Sequence, residues 1–252
     1  MAASPDEALA AEVLPAPLLA SIRHVFVGGA PGIGLVGGTA LAGFYAGHRR
    51  SDDMDLFTGD QIAQAMTVAA IKDLKRLGAR LSDERASPAF FHVLVDLDDH
   101  QFTAQAVLDA HLHQVGQFHT VPSGIRVASI STLRKMKIAT LVSRCSEKDL
   151  YDLLWLKEQG DWPSIPDLVA QGQEIDAGVN AESILISLTM ATPRSISCGF
   201  AMEQGHTAEA VLARVDGFRA ELQQLLLAHL EAGGPPPPAM APLIRKLRRS
   251  RS

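Results

Sequence analysis

A chain of 252 residues is long enough to bury one large core or two modest ones. Hydrophobic residues make up 47%, charged residues 20%, and the mean hydropathy is +0.10, a globular composition with no run near the roughly 20 apolar residues of a membrane helix. The formal charge of −5 is uneven: the last twelve residues hold five basic side chains and no acid, so the other 240 carry −10, unlike the basic body of a general nucleic-acid binder.

The acidic start (Asp6, Glu7, Glu12) lacks the basic region of a secretory signal, and Cys145 and Cys198 show neither a disulfide framework nor metal-ligand spacing. A reducing cytoplasm and no membrane partner are the expectation. Residues 5–21 read as a helix interrupted at Pro15 and Pro17, and His24–Val27 as a short strand. A glycine-dense stretch from Gly28 to Gly38 follows, with apolar Ile33–Val36 inside it. Residues 39–46 are helix-compatible and Gly47 is a fitting stop; Met54–Phe57 is a strand, and residues 60–77 have helical period up to Gly78. Phe90–Leu97 and Phe102–Leu108 read as a hairpin turned by Asp98, Asp99 and His100, and Ile125–Ala128 as another strand. Beyond Ser129 the pattern is helical, at 130–144, 147–159, 166–172, 180–191 and 207–231. The reading is an α+β fold: a core over 1–128 with a mixed sheet flanked by helices, a helical region over 129–232 that completes the active-site cleft, and a flexible Pro-rich and basic tail over 233–252.

Chemistry concentrates in residues 37–57. Gly37 and Gly38 before a helix let backbone amides approach an anion, and Thr39 adds a hydroxyl there. Asp53 and Asp55, two apart on a strand, leave the same face, and two adjacent carboxylates are tolerated when a divalent cation lies between them. Such ions activate an attacking hydroxyl and neutralise a departing pyrophosphate. A lone Gly-Gly-Thr is usually a turn and a lone Asp-x-Asp usually solvated; joined at this spacing behind Arg49-Arg50-Ser51, they point to a phosphate site.

Gly37, Gly38, Thr39, His48, Arg49, Ser51, Asp53, Asp55 and Phe57 together resemble the first motif of the abortive-infection nucleotidyltransferase toxins of the AbiEii/AbiGii type, a branch of the DNA-polymerase-β-like superfamily. Asp52 falls where that pattern is commonly apolar and reads as an extra, exposed acid. Residues 127–137, Arg144 and Lys148-Asp149-x-x-Asp152-Leu-Leu are similar to a second segment of the family, while residues 160–252 match none of it. The resemblance implies a polymerase-β-like core that takes an NTP with Mg2+ or Mn2+ on Asp53 and Asp55 and transfers a nucleotide to an RNA, tRNA among them, or to a protein. It also implies a cognate antitoxin. It implies nucleotide binding by Gly37, Gly38, Thr39, Arg49, Ser51 and Lys137, and catalytic roles for Asp53, Asp55, Lys137 and Asp149. Lys137, beside Met136, is expected to emerge at the rim of its helix and meet a phosphate and not a structural acid. Ser146 to Asp149 also has capping-box-like spacing, and Arg144 and Asp152 are expected to pair.

The family's third carboxylate, on a later strand, has no counterpart: Gln105 falls near its place and an amide is no base. Asp96, Asp98 or Asp149 substitutes, metal activation suffices, or the chain is a catalytically impaired binder of nucleotide or partner. Two further readings stay open. Gly28-x-x-x-Gly32-x-Gly34 fits the phosphate loop of a dinucleotide-dependent oxidoreductase, although a strand and not a helix is expected after it. His111 and His113, on a supposed strand, have the spacing of metal ligands but lack a second pair.

Overall fold

A computed structural model describes residues 4–160 and 162–233; the expected tail, Gly233 apart, lies outside the described residues. The chain forms two compact units, Met1–Leu133 and Arg134–Ser252, which divide inside a helix.

In the first unit Asp6 caps helix α1 (Glu7–Val13) by accepting from the Ala8 amide. Pro15 and Pro17 start helix α2 (Ala16–Gly28). This corrects the strand expected at His24–Val27. Leu18, Ile22 and Val25 are buried at helical spacing and Val27 is exposed, so the β-branched run belongs to one stripe of a helix. The glycine-rich loop therefore leaves a helix and enters strand β1 (Gly34–Val36), the reverse of the strand-to-helix order of a dinucleotide loop. Helix α3 (Gly37–Leu41) follows at once and continues as a π-turn, Ala42–Ala46, that ends at Gly47 with φ +60°.

Next come β2 (Asp53–Thr58), α4 (Gln61–Lys72), β3 (Arg80–Ser87), β4 (Phe90–Leu97), β5 (His100–Leu108), α5 (Ala110–Val115), β6 (Phe118–Thr120) and β7 (Arg126–Ala128). The seven strands form one mixed sheet in the order β3-β4-β5-β2-β1-β7-β6, with β1 parallel to β7, β2 parallel to β5 and the other pairs antiparallel. One face buries Met54, Leu56, Val93, Val95, Ala104 and Ala106, against which α2 and α4 pack. Inside that layer Thr58 donates to Gln64 (2.9 Å), which donates to the Ala106 carbonyl (2.7 Å). The other face of β2, β4 and β5 alternates half-exposed positions with these buried ones, and the site lies there.

Strand β3, α5 and β6 are absent from the sequence-based expectation. His111 and His113 lie on helix α5, not on a strand. Among the described residues no group of three or more His, Cys, Asp or Glu is placed to hold a metal ion.

Helix α6 (Ile130–Ser143) crosses the division. The second unit continues with α7 (Glu147–Glu158), α8 (Ile165–Gln173), α9 (Ala181–Met190) and α10 (Ala208–Ala232). Ser146, Ser164, Asn180 and Thr207 each cap the helix that follows by accepting from the third amide inside it, worth about 1 kcal/mol apiece. Val211, Val215, Phe218, Leu222 and Leu226 form the buried stripe of α10, which packs on α7, α8 and α9. Among the described residues no helix is long and apolar enough to cross a membrane.

Candidate active site

Alternation along β2 sends Met54 and Leu56 into the core and leaves Asp53 and Asp55 half-exposed on one face. The antiparallel register pairs Val36 with Asp55, which brings the next residue, Gly37, against the Asp55 carboxylate. Gly37 has φ +73°, and a Cβ built there falls 2.1 Å from Asp55 Oδ2. A side chain is excluded twice over, by backbone conformation and by the carboxylate. Gly38 is crowded on another side: its Cβ would lie 2.3 Å from Arg49 Nη2 and 3.1 Å from Ser51 Oγ. The Gly-Gly pair is what allows a carboxylate and a guanidinium to close on the same turn.

Thr39, Arg49 and Ser51 are 0%, 2% and 2% exposed and hold the turn from within. The Thr39 hydroxyl donates to the Asp53 carbonyl and lies 2.9 Å from Ser51 Oγ. Arg49 Nη1 donates to the Arg50 carbonyl at 2.8 Å. Asp52 is engaged apart from the pair: Arg50 Nε donates to both its oxygens (3.1 and 2.9 Å). His100 Nε2 lies 3.2 Å from Asp52 Oδ1, near enough to attract it when protonated but not aligned as a hydrogen bond.

The parallel register of β2 and β5 sets Thr103 beside Asp53 and Gln105 beside Asp55. Thr103 donates its hydroxyl to Asp53 Oδ1 at 2.5 Å, which fixes that carboxylate. Nothing local in the sequence marks Thr103, because its parallel pairing with Asp53 spans 50 residues. No acid of β5 flanks the pair. Asp96, on β4, accepts from Arg80 at 2.9 Å, and Asp98 occupies the hairpin turn with φ +50°.

In the second unit Lys137 is 5% exposed, and its Nζ lies 2.8 Å from Asp149 Oδ1 and 2.7 Å from Asp152 Oδ2. This corrects the expectation of a lysine at the rim without structural acids. Asp149 and Asp152 stand one turn apart on α7 and converge on the ammonium from the same side. Arg144 also differs from expectation, since its Nε pairs with Asp149 Oδ2 (3.2 Å) and Asp152 goes to Lys137. The Ser146 hydroxyl donates to Asp149 Oδ2 at 2.6 Å and accepts from the Asp149 amide, a capping geometry. Burial pushes the Asp149 carboxyl up, but Lys137, Ser146 and Arg144 outweigh it and hold its pKa below the usual carboxylate value. Beside it Cys145 is a free thiol pushed up to about 12, by burial first and by the Asp149 charge second.

Solved structures share this fold. A crystal structure from H. pylori, provisionally assigned as a nucleotidyltransferase, superposes with a TM-score of 0.51 at 16% identity, over 84% of this chain and 97% of that one. The fold is that of a nucleotidyltransferase. JHP933 from Helicobacter pylori gives a TM-score of 0.52 at 15% identity, over 91% of this chain and 97% of its own. MenT4, a nucleotidyltransferase toxin of Mycobacterium tuberculosis H37Rv, gives a TM-score of 0.47 at 15% identity, over 88% of this chain and 94% of its own. The chain matches no protein-family model and no curated protein sequence. In this nucleotidyltransferase fold, two half-exposed carboxylates against a glycine turn suit magnesium. That ion is commonly held by one or two carboxylates and completed by substrate phosphates and water.

Proposed function

We propose that the chain is a magnesium-dependent nucleotidyltransferase, with manganese able to replace magnesium. It moves a nucleotidyl group from an NTP to an RNA, tRNA among them, or to a protein hydroxyl, and acts as the toxin of a toxin–antitoxin or abortive-infection system. One observation carries the chemistry: Asp53 and Asp55 share a strand face, and the Asp55 carboxylate lies against Gly37. The toxin role rests on the sequence resemblance to the AbiEii/AbiGii type.

Asp53 and Asp55 would hold the divalent ion, which supplies polarisation of the α-phosphate and a more acidic acceptor hydroxyl. Thr103 keeps the Asp53 carboxylate in one orientation. Gly37 and Gly38 offer amides to the phosphate oxygens with no side chain in the way. Thr39, Arg49 and Ser51, buried, act on the nucleotide by fixing this turn. The acceptor oxygen bonds to the α-phosphorus as the bond to pyrophosphate breaks, and its proton passes to solvent. Lys137, buried between Asp149 and Asp152, is given the role of holding helix α6 to α7 in the second unit.

Incubation with each α-labelled NTP, magnesium and total RNA or lysate tests this. The expected result is label in the RNA or protein fraction for the wild type and none for Asp53→Asn/Asp55→Asn. Growth arrest on expression, relieved in the same double variant, tests the toxin role. Gln105 and Thr103 beside the aspartates favour a second reading, a nucleotide-binding regulator without turnover. Saturable NTP binding with no transfer to any acceptor would establish it.

A further inference from the structure

The glycine-rich loop before β1 is not part of the site above, yet it walls a cavity of about 310 Å³ at the other end of that strand. Phe26, Pro31 and Ile33 supply apolar wall, Thr120 a hydroxyl, and Arg126 the only charge among the lining residues. Arg126 is held in place from two sides. Its Nη1 donates to the Gly32 carbonyl at 2.6 Å, and its guanidinium lies 4.1 Å from the centroid of the Phe118 ring. Gly32 reaches that position with φ +89°.

A guanidinium has five N–H donors in one plane, and the Gly32 carbonyl takes one. No carboxylate among the described residues pairs with Arg126. Glu7, which accepts from the Ser123 amide on the adjoining turn, is already committed to Arg23 at 3.0 Å. Burial lowers the Arg126 pKa from its ordinary value, a sign that part of its hydration is lost without an anion in compensation. A fixed, partly dehydrated guanidinium facing a cavity is the arrangement that recognises phosphate oxygens in a bidentate way.

We propose that this cavity binds a small phosphate monoester of nucleoside-monophosphate size, with the phosphate on Arg126 and the organic part against Phe26, Pro31 and Ile33. The volume lies at the small end of ligand pockets, which fits one nucleoside and not a dinucleotide. The site is separate from Asp53 and Asp55, and its failure would leave the nucleotidyltransferase reading untouched.

Amide NMR of the labelled protein with EDTA present tests it, using AMP, inorganic phosphate and adenosine as probes. AMP and phosphate are expected to shift Gly29, Gly32, Ile33 and Gly124, AMP saturating at about tenfold lower concentration, and adenosine alone not to saturate. Arg126→Gln is expected to weaken AMP binding by about tenfold or more, and Arg126→Lys by less, because a charged hydrogen bond is lost in the first and a point charge kept in the second. Shifts confined to Gly37 and Gly38, no shifts at millimolar AMP, or equal AMP affinity in Arg126→Gln would each overturn the proposal. If the glutamine variant does not fold, the wild-type shift map and the lysine variant decide by the same criteria.

Discussion

At the scale of single residues the two aspartates and the lysine behave oppositely. Asp53 and Asp55 are half-exposed, so replacing both by Asn removes a repulsion and the proposed ion site together. The double variant is expected to lose transfer with an unchanged or higher melting temperature; undiminished labelling would end the case for this chemistry. Lys137 is buried between Asp149 and Asp152, so Lys137→Ala removes the ammonium that two buried carboxylates share. Breaking such a pair costs about 3–5 kcal/mol, and denaturant unfolding should show a loss of that size. Adding Asp149→Asn and Asp152→Asn to that variant should recover much of it, since the strain comes from uncompensated charge. The spacing Lys137…Asp149…Asp152 was visible in the sequence, but the pairing was not. Whether a lysine beside a methionine faces solvent or a second helix depends on where α7 packs, and no local pattern encodes that.

At the scale of elements, legibility followed burial. Strands β2, β4 and β5 alternate buried and half-exposed positions, and their period-2 pattern gave them away. Strand β3 has almost every residue exposed, including Asp83, Glu84 and Arg85 around a bulge, so it exists only through its ladder to β4. The pattern at His24–Val27 suggests a strand because four residues of β-like composition outweigh a helical stripe that begins earlier, at Leu18. The Gly37 turn was legible because glycine is demanded twice there. Gly37→Ala meets both a φ of +73° and the Asp55 carboxylate, so it should cost ~2 kcal/mol or more in stability and nearly all transfer. Retained transfer would show that Asp55 has another position available. The β4–β5 hairpin makes a converse case. Asp98 and Asp99 carry φ of +50° and +59°, a two-residue turn that Asn-Gly fills with less strain. Asp98→Asn with Asp99→Gly is expected to raise stability by about 1 kcal/mol with transfer unchanged, as thermal unfolding and the labelling assay would show.

At the scale of the whole molecule, ligand and proton both report on the fold. On the proposed function an NTP with magnesium binds only the folded chain, so it should add about 2.7 kcal/mol at a hundred times its dissociation constant. The melting temperature should then rise with NTP in the wild type and stay flat in Asp53→Asn/Asp55→Asn. For protons, Asp149 has a folded pKa below its unfolded value, so its stabilisation is complete above the ordinary carboxylate value of about 4. It is lost as pH falls through the lower, folded value. Asp149→Asn should therefore flatten the acid limb of stability against pH and leave the limb above neutrality unchanged. The neighbour of that carboxylate extends the point in another direction. Cys145, with a thiol pushed up to about 12, holds almost no thiolate at neutral pH, and only thiolate reacts with alkylating reagents. In the folded chain it is close to inert; once the α6–α7 corner opens, it regains an ordinary thiol's reactivity. Its alkylation rate is thus a clock for that corner, each labelled molecule recording one excursion in which the carboxylate beside it had given up its partners.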